Sequence, residues 1–273
     1  ETAANLTSEF KTTSIETVNL TALGAVSVDM TNKTDVTALN NNDSTAKVTV
    51  NNIADTTATY GLKGSTVNNL ELNYKTAVLN GSADKLNVKL NGATNATVDA
   101  DDGFESVEVN TTAASTLTSL VAPNATALTL SGSATLELAA SATSTVTDYT
   151  VTNTGKVTYN DTANNVKTFN ASANTDGIVG KDLVTADALN KGTTLDVITL
   201  GSTGSLVQTG SGADNINVNT SALFSSNSAV IKLGAGNDTL FLTAGNSAEY
   251  VYGEAGDDLI YVDGGTTSAD LID

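Results

Sequence analysis

Glycine and aspartate recur together at a fixed spacing in the last third of this 273-residue chain. The arrangement is that of a nonapeptide, G-G-x-G-x-D-x-U-x, in which U is a large apolar residue. Three segments carry it: TGSGADNIN with Gly210, Gly212 and Asp214; LGAGNDTLF with Gly234, Gly236 and Asp238; and GEAGDDLIY with Gly253, Gly256 and Asp258. Two partial copies flank them: KGTTLDVIT with Gly192 and Asp196, and GTTSADLID with Gly265 and Asp270. One copy alone fits a β-hairpin turn, but this series predicts a repeated structural unit.

The residue types of the repeat suit the binding of calcium ions. Glycine permits turns with positive φ, so backbone carbonyl groups can crowd toward one point. Ca²⁺ takes about six to eight oxygen ligands, and each aspartate could complete a cage with the turns above and below it. The apolar residue then enters a short strand, so Leu240 and Leu242 should lie in the core while Phe241 faces the other way. We therefore predict Ca²⁺ at the glycine and aspartate positions named above.

The spacing of the aspartates indicates how the turns stack. Asp196 and Asp214 are separated by two nonapeptides, which would bring equivalent turns to one edge. The interval from Asp214 to Asp238 exceeds two nonapeptides by several residues, and the interval from Asp238 to Asp258 exceeds them only slightly. We expect residues 222–229 to bulge outward and the last interval to contain a small insertion.

Negative charge is concentrated in the same region. The formal net charge of the chain is −18 at pH 7, and residues 193–273 contain eight Asp, two Glu and one Lys. A solvated acidic face is the ordinary interpretation of such a composition. Repulsion at this density opposes a compact fold unless a counterion neutralises it, so the charge favours the calcium hypothesis.

The composition excludes most catalytic chemistry. The chain has no His, Cys or Trp, and all twelve basic residues are Lys. Ser-His and Cys-His nucleophiles, the usual zinc sites and the H-E-x-x-H motif cannot form without these residues. Without Arg, and with this net charge, nucleic acid is not an expected partner. We expect that the chain is not an enzyme. The enzymatic alternative is a polysaccharide lyase that uses Lys181 or Tyr159 as its base.

The residues before Lys191 are rich in Thr, Asn, Ala, Ser and Val, and they alternate in short runs such as KLNVKL (85–90). Alternation at period two and β-branched residues predict β-strands. Apolar residues recur every 21 positions at Leu86, Val107 and Leu128, which suits one rung of a coil. We predict an all-β, parallel β-solenoid: a Thr/Asn-rich part over residues 1–190, continued by a calcium-binding β-roll over residues 191–273. A β-sandwich is the competing fold.

A separate acidic segment, DADDG at residues 99–103, partly matches an EF-hand loop. Its glycine comes one place early, and Asn110 stands where the bidentate Glu of such a loop belongs. The segment is either a further calcium site or an ordinary acidic turn.

The stretch from Asp99 to Leu138, followed by the glycine-aspartate repeats, resembles the RTX-type surface-layer (S-layer) proteins of Gram-negative bacteria. The resemblance covers the chain from Asp99 onward and the first hundred residues only in general character. It implies type I secretion, an RTX β-roll with calcium at Asp196, Asp214, Asp238, Asp258 and Asp270, and assembly into a two-dimensional lattice. It also implies anchoring to outer-membrane lipopolysaccharide through a region outside this fragment.

These observations predict a structural protein of a bacterial surface layer, extracellular and on the cell surface, whose main partner is itself. Membrane insertion is not expected, because no apolar run reaches the ~18 residues of a transmembrane helix. The alternative is the stalk of an RTX-type secreted adhesin, which the composition does not distinguish from a lattice protein.

Overall fold

The computed structural model describes residues 11–64, 69–139, 145–160, 166–180, 198–199, 205–220, 228–244, 248–264 and 271–273. The regular secondary structure of these residues is β-strand, without helix. Accordingly, the described part of the chain holds no helix that could span a membrane. The chain divides into two compact units, Glu1–Leu136 and Glu137–Asp273.

Unit 1 consists of short strands that alternate between two sheets. The strands are β1 (Thr17–Leu20), β2 (Val26–Asp29), β3 (Ala38–Asn42), β4 (Val48–Ile53), β5 (Thr59–Lys63), β6 (Asn69–Tyr74), β7 (Lys85–Asn91), β8 (Ala96–Ala100), β9 (Ser106–Ala113), β10 (Ser115–Val121), β11 (Ala127–Gly132) and β12 (Leu136–Ala139), the last of which crosses the unit boundary. The first sheet has the order β1-β3-β5-β7-β9-β11, and the second has the order β2-β4-β6-β8-β10. The pairings are parallel, so the chain coils as a β-solenoid.

The core of unit 1 is made of apolar ladders that run from coil to coil. In β7 the alternate residues Leu86, Val88 and Leu90 are buried. Leu86 is the register partner of Val107, and Val107 is the partner of Leu128. The predicted repeat is therefore confirmed at these positions. Each buried Leu or Val contributes roughly 1.5–3 kcal/mol, which lets a core with few aromatic residues hold the coils together.

Asparagine connects the coils on the outer face. On the second sheet, Asn73 Nδ2 donates to Asn51 Oδ1 at 2.8 Å, and Asn51 Nδ2 donates to Ser27 Oγ at 2.8 Å. Side-chain amides stacked in this way form hydrogen bonds from coil to coil, in the same direction as the backbone hydrogen bonds of the parallel sheet. The Thr/Asn-rich composition thus supplies the outer surface while Leu and Val fill the interior.

Unit 2 repeats the same architecture. Its strands are β13 (Asp148–Val151), β14 (Val157–Asn160), β15 (Thr168–Asn170), β16 (Ile178–Gly180), β17 (Ile198–Thr199), β18 (Ser205–Gln208), β19 (Asn215–Asn219), β20 (Ser228–Lys232), β21 (Thr239–Ala244), β22 (Ala248–Tyr252), β23 (Leu259–Gly264) and β24 (Leu271–Ile272). The first sheet has the order β13-β15-β18-β20-β22-β24, the second has the order β14-β16-β19-β21-β23, and β17 also pairs with β19. The prediction of an all-β, parallel β-solenoid is confirmed. The part boundary predicted at Lys191 lies outside the described residues.

Strand β21 has apolar side chains on both faces. Leu240 and Leu242 are 0% and 3% exposed, and Phe241, which alternates with them, is 4% exposed. Phe241 stacks on Tyr261 of the next coil with ring centroids 4.8 Å apart and an interplanar angle of 6°. The face opposite the core is therefore also covered at this point, which the sequence analysis did not predict.

Candidate metal centre

The three complete nonapeptides place their aspartates in one column. Asp214 directly precedes β19, Asp238 precedes β21 and Asp258 precedes β23. The residues that follow them are register partners in the second sheet of unit 2. The three aspartates, called the aspartate column below, therefore lie one coil apart at the same edge. Each of these coils carries one glycine-aspartate turn.

Each aspartate of the column caps the backbone of the coil before it. Oδ1 of Asp258 accepts a hydrogen bond from the Asp238 N–H at 3.0 Å, and Oδ1 of Asp238 accepts one from the Asp214 N–H at 2.8 Å. Oδ1 of Asp214 accepts from the Ile178 N–H at 2.6 Å. Hydrogen bonds to a carboxylate are among the stronger ones in proteins. One oxygen of each carboxyl group is thus engaged in linking consecutive coils.

The second carboxyl oxygen is in a different situation. Oδ2 of Asp214 and Oδ2 of Asp238 are buried, and neither accepts a hydrogen bond from the described residues. The two side chains belong to residues that are 2% and 1% exposed. A buried polar atom without a partner costs about 1–3 kcal/mol, and more when it is charged. A proton or a cation bound at these oxygens would remove that cost.

The pKa values of Asp214 and Asp238 reflect this burial. Burial raises the pKa of Asp238 to about 6; the Asp214 N–H opposes the rise, and the charges of Asp214 and Asp258 add to it. Burial also raises the pKa of Asp214, against the opposing effects of the Ile178 amide, the Thr209 hydroxyl group and the Gly210 amide nearby. Burial thus disfavours the charged form of both groups, and a bound cation would oppose this effect.

Glycine is necessary in these turns because successive coils approach closely. A Cβ atom on Gly234, whose φ is +89°, would lie 2.0 Å from the Gly210 carbonyl oxygen. A Cβ atom on Gly256 would lie 1.5 Å from the Gly236 carbonyl oxygen. Any side chain at either position would force the coils apart. The close approach brings backbone carbonyl oxygens from one turn against the next turn.

Two further glycines of these turns, Gly236 and Gly253, lie beside the carboxyl groups. A Cβ atom on Gly253 would be 2.5 Å from Oδ2 of Asp258, and one on Gly236 would be 3.2 Å from Oδ1 of Asp238 and 2.5 Å from the Gly212 carbonyl oxygen. The turn backbone and the carboxylates thus share one small region. Its donor atoms are all oxygens, which suits a hard cation such as Ca²⁺ better than a transition metal.

The number of carboxylates limits how a cation could be held. Among the described residues, no three acidic side chains are grouped closely enough to hold one metal ion. A Ca²⁺ ion in the column would therefore take one or two aspartates and complete its shell with carbonyl groups and water. Flexible, oxygen-rich coordination of this kind is acceptable for Ca²⁺.

Four predicted ligand positions lie outside the described residues: Gly192, Asp196, Gly265 and Asp270. Residues 222–227 of the expected bulge also lie outside them, whereas Ser228 and Ala229 belong to strand β20, so the prediction of a bulge is wrong for these two residues. The roles assigned to these residues stay predictions. The described part of the column consists of Asp214, Asp238 and Asp258 with their turn glycines.

The turn at residues 174–178 completes the stack below Asp214, and the sequence analysis missed it. A Cβ atom on Gly212 would lie 2.3 Å from the Gly177 nitrogen, and Val179 is the register partner of Asn215. Asn174 closes this turn: its Oδ1 accepts from the Gly177 N–H at 2.8 Å, and its Nδ2 donates to carbonyl groups of the preceding coil. A neutral amide thus links this turn to the preceding coil, where the column uses carboxylates. The sequence signal for the turn is Gly177, which has φ +102° in the structure.

The segment DADDG comprises the end of strand β8, at Asp99 and Ala100, and the turn that follows it in unit 1. Oδ2 of Asp101 accepts a hydrogen bond from the Tyr74 N–H at 2.6 Å. Gly103 has φ +116°, and a Cβ atom there would lie 2.7 Å from Leu79 Cβ. The described contacts of the segment thus link neighbouring coils, as those of an acidic turn would.

Comparison of the chain with models of protein families, with curated proteins and with solved structures gives no match.

Proposed function

We propose that the chain is a structural protein of a bacterial surface layer, an RTX-type β-solenoid that Ca²⁺ stabilises and that assembles with copies of itself into a two-dimensional lattice on the cell surface. The observation that carries the calcium part is the pair of buried, unpartnered oxygens, Oδ2 of Asp214 and Oδ2 of Asp238, on adjacent coils. The acidic charge of residues 193–273 supports it. The parallel solenoid supports the structural part, since each unit consists of stacked coils that are stabilised by contacts with their neighbours.

Calcium would act on the folded state alone. The column exists only when the coils are stacked, so a bound ion stabilises the folded state by mass action, about 2.7 kcal/mol for one site at a free concentration 100 times its Kd. Without calcium the carboxylates repel one another and favour the unfolded chain. Type I secretion fits this behaviour, because the chain would stay unfolded in a low-calcium cytoplasm and fold outside.

The experiment is a calcium titration of the whole chain, followed by circular dichroism and by electron microscopy. We expect β-structure to increase with calcium and ordered two-dimensional arrays to appear once folding is complete. Mg²⁺ at the same concentration is the control for ionic strength and for divalent charge. A chain that folds equally well without calcium contradicts the calcium role. A chain that folds with calcium but remains monomeric contradicts the lattice role and favours an adhesin stalk.

A further inference from the structure

The outer face of the first sheet of unit 1 contains a groove centred on Gly61. Outward residues of consecutive strands follow one another in register across this face: Asn19, Asn40, Gly61, Lys89 and Asn110. Gly61 has no side chain to fill its place, and a Cβ atom there would lie 2.0 Å from Asn40 Oδ1. The cavity at this position has a volume of about 320 Å³.

The groove is basic although the protein is strongly acidic. The polar side chains of this first cavity are those of Asn19, Asn40, Asn42, Lys63, Lys89 and Asn91, and among the described residues no acidic one lines it. The ion pairs Lys47–Glu71 and Lys85–Glu108 use other lysines, and within the described part of the chain neither Lys63 nor Lys89 forms an ion pair. Two lysines thus line one cavity on a chain whose net charge is −18. This arrangement attracts an anionic ligand.

The amides of the groove are held in place by one another. Asn40 Nδ2 donates to Asn19 Oδ1 at 2.9 Å, and Asn42 Nδ2 donates to the same oxygen at 3.3 Å. These bonds leave Asn19 Nδ2 as a donor and the Oδ1 atoms of Asn40 and Asn42 as acceptors for a ligand. A hydroxyl group both donates and accepts, so it matches such a surface better than a carboxylate alone does.

A second cavity of about 240 Å³ continues the groove on the other side of Lys89, lined by Thr59, Asn87, Val88, Lys89, Glu108 and Asn110. Lys89 borders both cavities. The charge of Glu108 is engaged by Lys85 and by the Ser131 hydroxyl. Neighbouring strands are about 4.8 Å apart, so a groove that crosses several of them has the length of a linear molecule rather than of a single ion.

We propose that the Gly61 groove binds a linear, carboxylate-bearing saccharide. Lys63 and Lys89 bind its carboxylates, and the asparagine amides bind its hydroxyl groups. An acidic peptide would engage the lysines, but it would leave most of the amide positions without hydroxyl partners. No aromatic residue lines either cavity, so binding depends on charge and hydrogen bonds and weakens as salt screens the lysines.

The test uses the whole chain at the lowest calcium concentration at which it is fully folded, with the same calcium concentration in both solutions, and isothermal titration with a short oligogalacturonate, an unbranched uronic acid oligomer. We expect binding that salt weakens, and an affinity about tenfold lower in the double variant Lys63→Gln/Lys89→Gln, because two exposed charge contacts are lost. The matched control, Lys11→Gln/Lys75→Gln, removes the same charge from exposed positions of unit 1 outside the groove. Its affinity should equal that of the unaltered chain.

A third variant, Gly61→Asn, fills the groove without changing the charge. Circular dichroism reports whether this variant still folds, since Asn40 must move to accommodate it. A neutral oligogalactan should bind more weakly than oligogalacturonate. Three results would overturn the proposal: no binding of oligogalacturonate, equal losses in the two double variants, or polyglutamate binding as tightly as the saccharide. The last result would assign the groove to acidic peptides.

Discussion

The Asp238 carboxyl group carries two roles that a single substitution can separate. In Asp238→Asn, the amide oxygen can still accept the hydrogen bond from the Asp214 N–H, while the buried charge is lost. We expect the variant to be more stable than the unaltered chain without calcium, on the order of 2 kcal/mol at pH 7, because a buried charge with a raised pKa is removed. With calcium the order should reverse, because a charged ligand is missing.

Urea denaturation with calcium and with chelator measures both differences. Asn237→Ala is the matched control, because Asn237 is exposed and its Oδ1 accepts only the Asp257 N–H in the described structure. Its effect should be small and should have the same sign in both conditions. A variant Asp238→Asn that is destabilised equally with and without calcium would show that the carboxylate has a purely structural role.

The raised pKa of Asp238 also predicts a pH dependence. The folded-state pKa is about 6, and the unfolded value is about 3.9. Protonation of the Asp238 carboxyl group therefore makes its full contribution to stability below pH ~4, and this contribution is lost as the pH rises through about 6. Without calcium, unit 2 should gain stability between pH 7 and pH 5. With calcium, it should lose stability over the same interval, because protons compete with the ion for the carboxylates.

Urea midpoints at both pH values, in each calcium condition, test this prediction. The charged groups that face Asp238 in the column are Asp214 and Asp258, so substituting either by Asn should reduce the effect. Shifts of the same sign in both calcium conditions would contradict it.

At the scale of the turns, close stacking predicts that Gly234 tolerates no side chain. Gly234 has φ +89° and meets the Gly210 carbonyl oxygen, whereas Gly92 has φ +68° and has no atom within 4 Å of its Cβ position. Gly92→Ala should cost about 1–2 kcal/mol, which is the cost of the left-handed backbone conformation. Gly234→Ala should cost more than about 3 kcal/mol, because the coils must also separate. Urea denaturation of both variants in excess calcium provides the comparison; equal costs would mean that stacking is looser than described.

The sequence predicted those elements in which the same type of residue recurs once in each coil. Leu86, Val107 and Leu128 recur at a constant interval, and they could be aligned because a parallel register places equivalent core positions over one another. The nonapeptides could be found because close turns admit only glycine and because aspartate follows at a fixed position. The stacking of the Asp214, Asp238 and Asp258 turns could thus be expected from the sequence, whereas the binding of Ca²⁺ to them stays a prediction.

The remaining features depend on contacts that no local pattern encodes. The turn at residues 174–178 was missed because Ile178 stands at the aspartate position and Asn174 closes the turn instead. The Gly61 groove was missed because Gly61 and Lys89 are far apart in the sequence and become neighbours only through the pairing of β5 with β7. Coils of unequal length cannot be aligned without knowing which residues leave the sheets.

At the scale of the whole molecule, a solenoid is stabilised mainly by contacts between neighbouring coils, so the loss of calcium should have a graded effect. Hydrogen exchange with and without chelator measures this gradient. We expect the largest loss of protection in β19, β21 and β23, whose turns form the aspartate column, and a smaller loss in β14 and β16, where Asn174 replaces the charged turn. Strands β3 to β9 of unit 1 should be unchanged, because apolar ladders and neutral amides hold their coils. Equal protection of β19, β21 and β23 in the two conditions would end the calcium hypothesis, whereas uniform loss in both units would mean that the chain unfolds as one cooperative body.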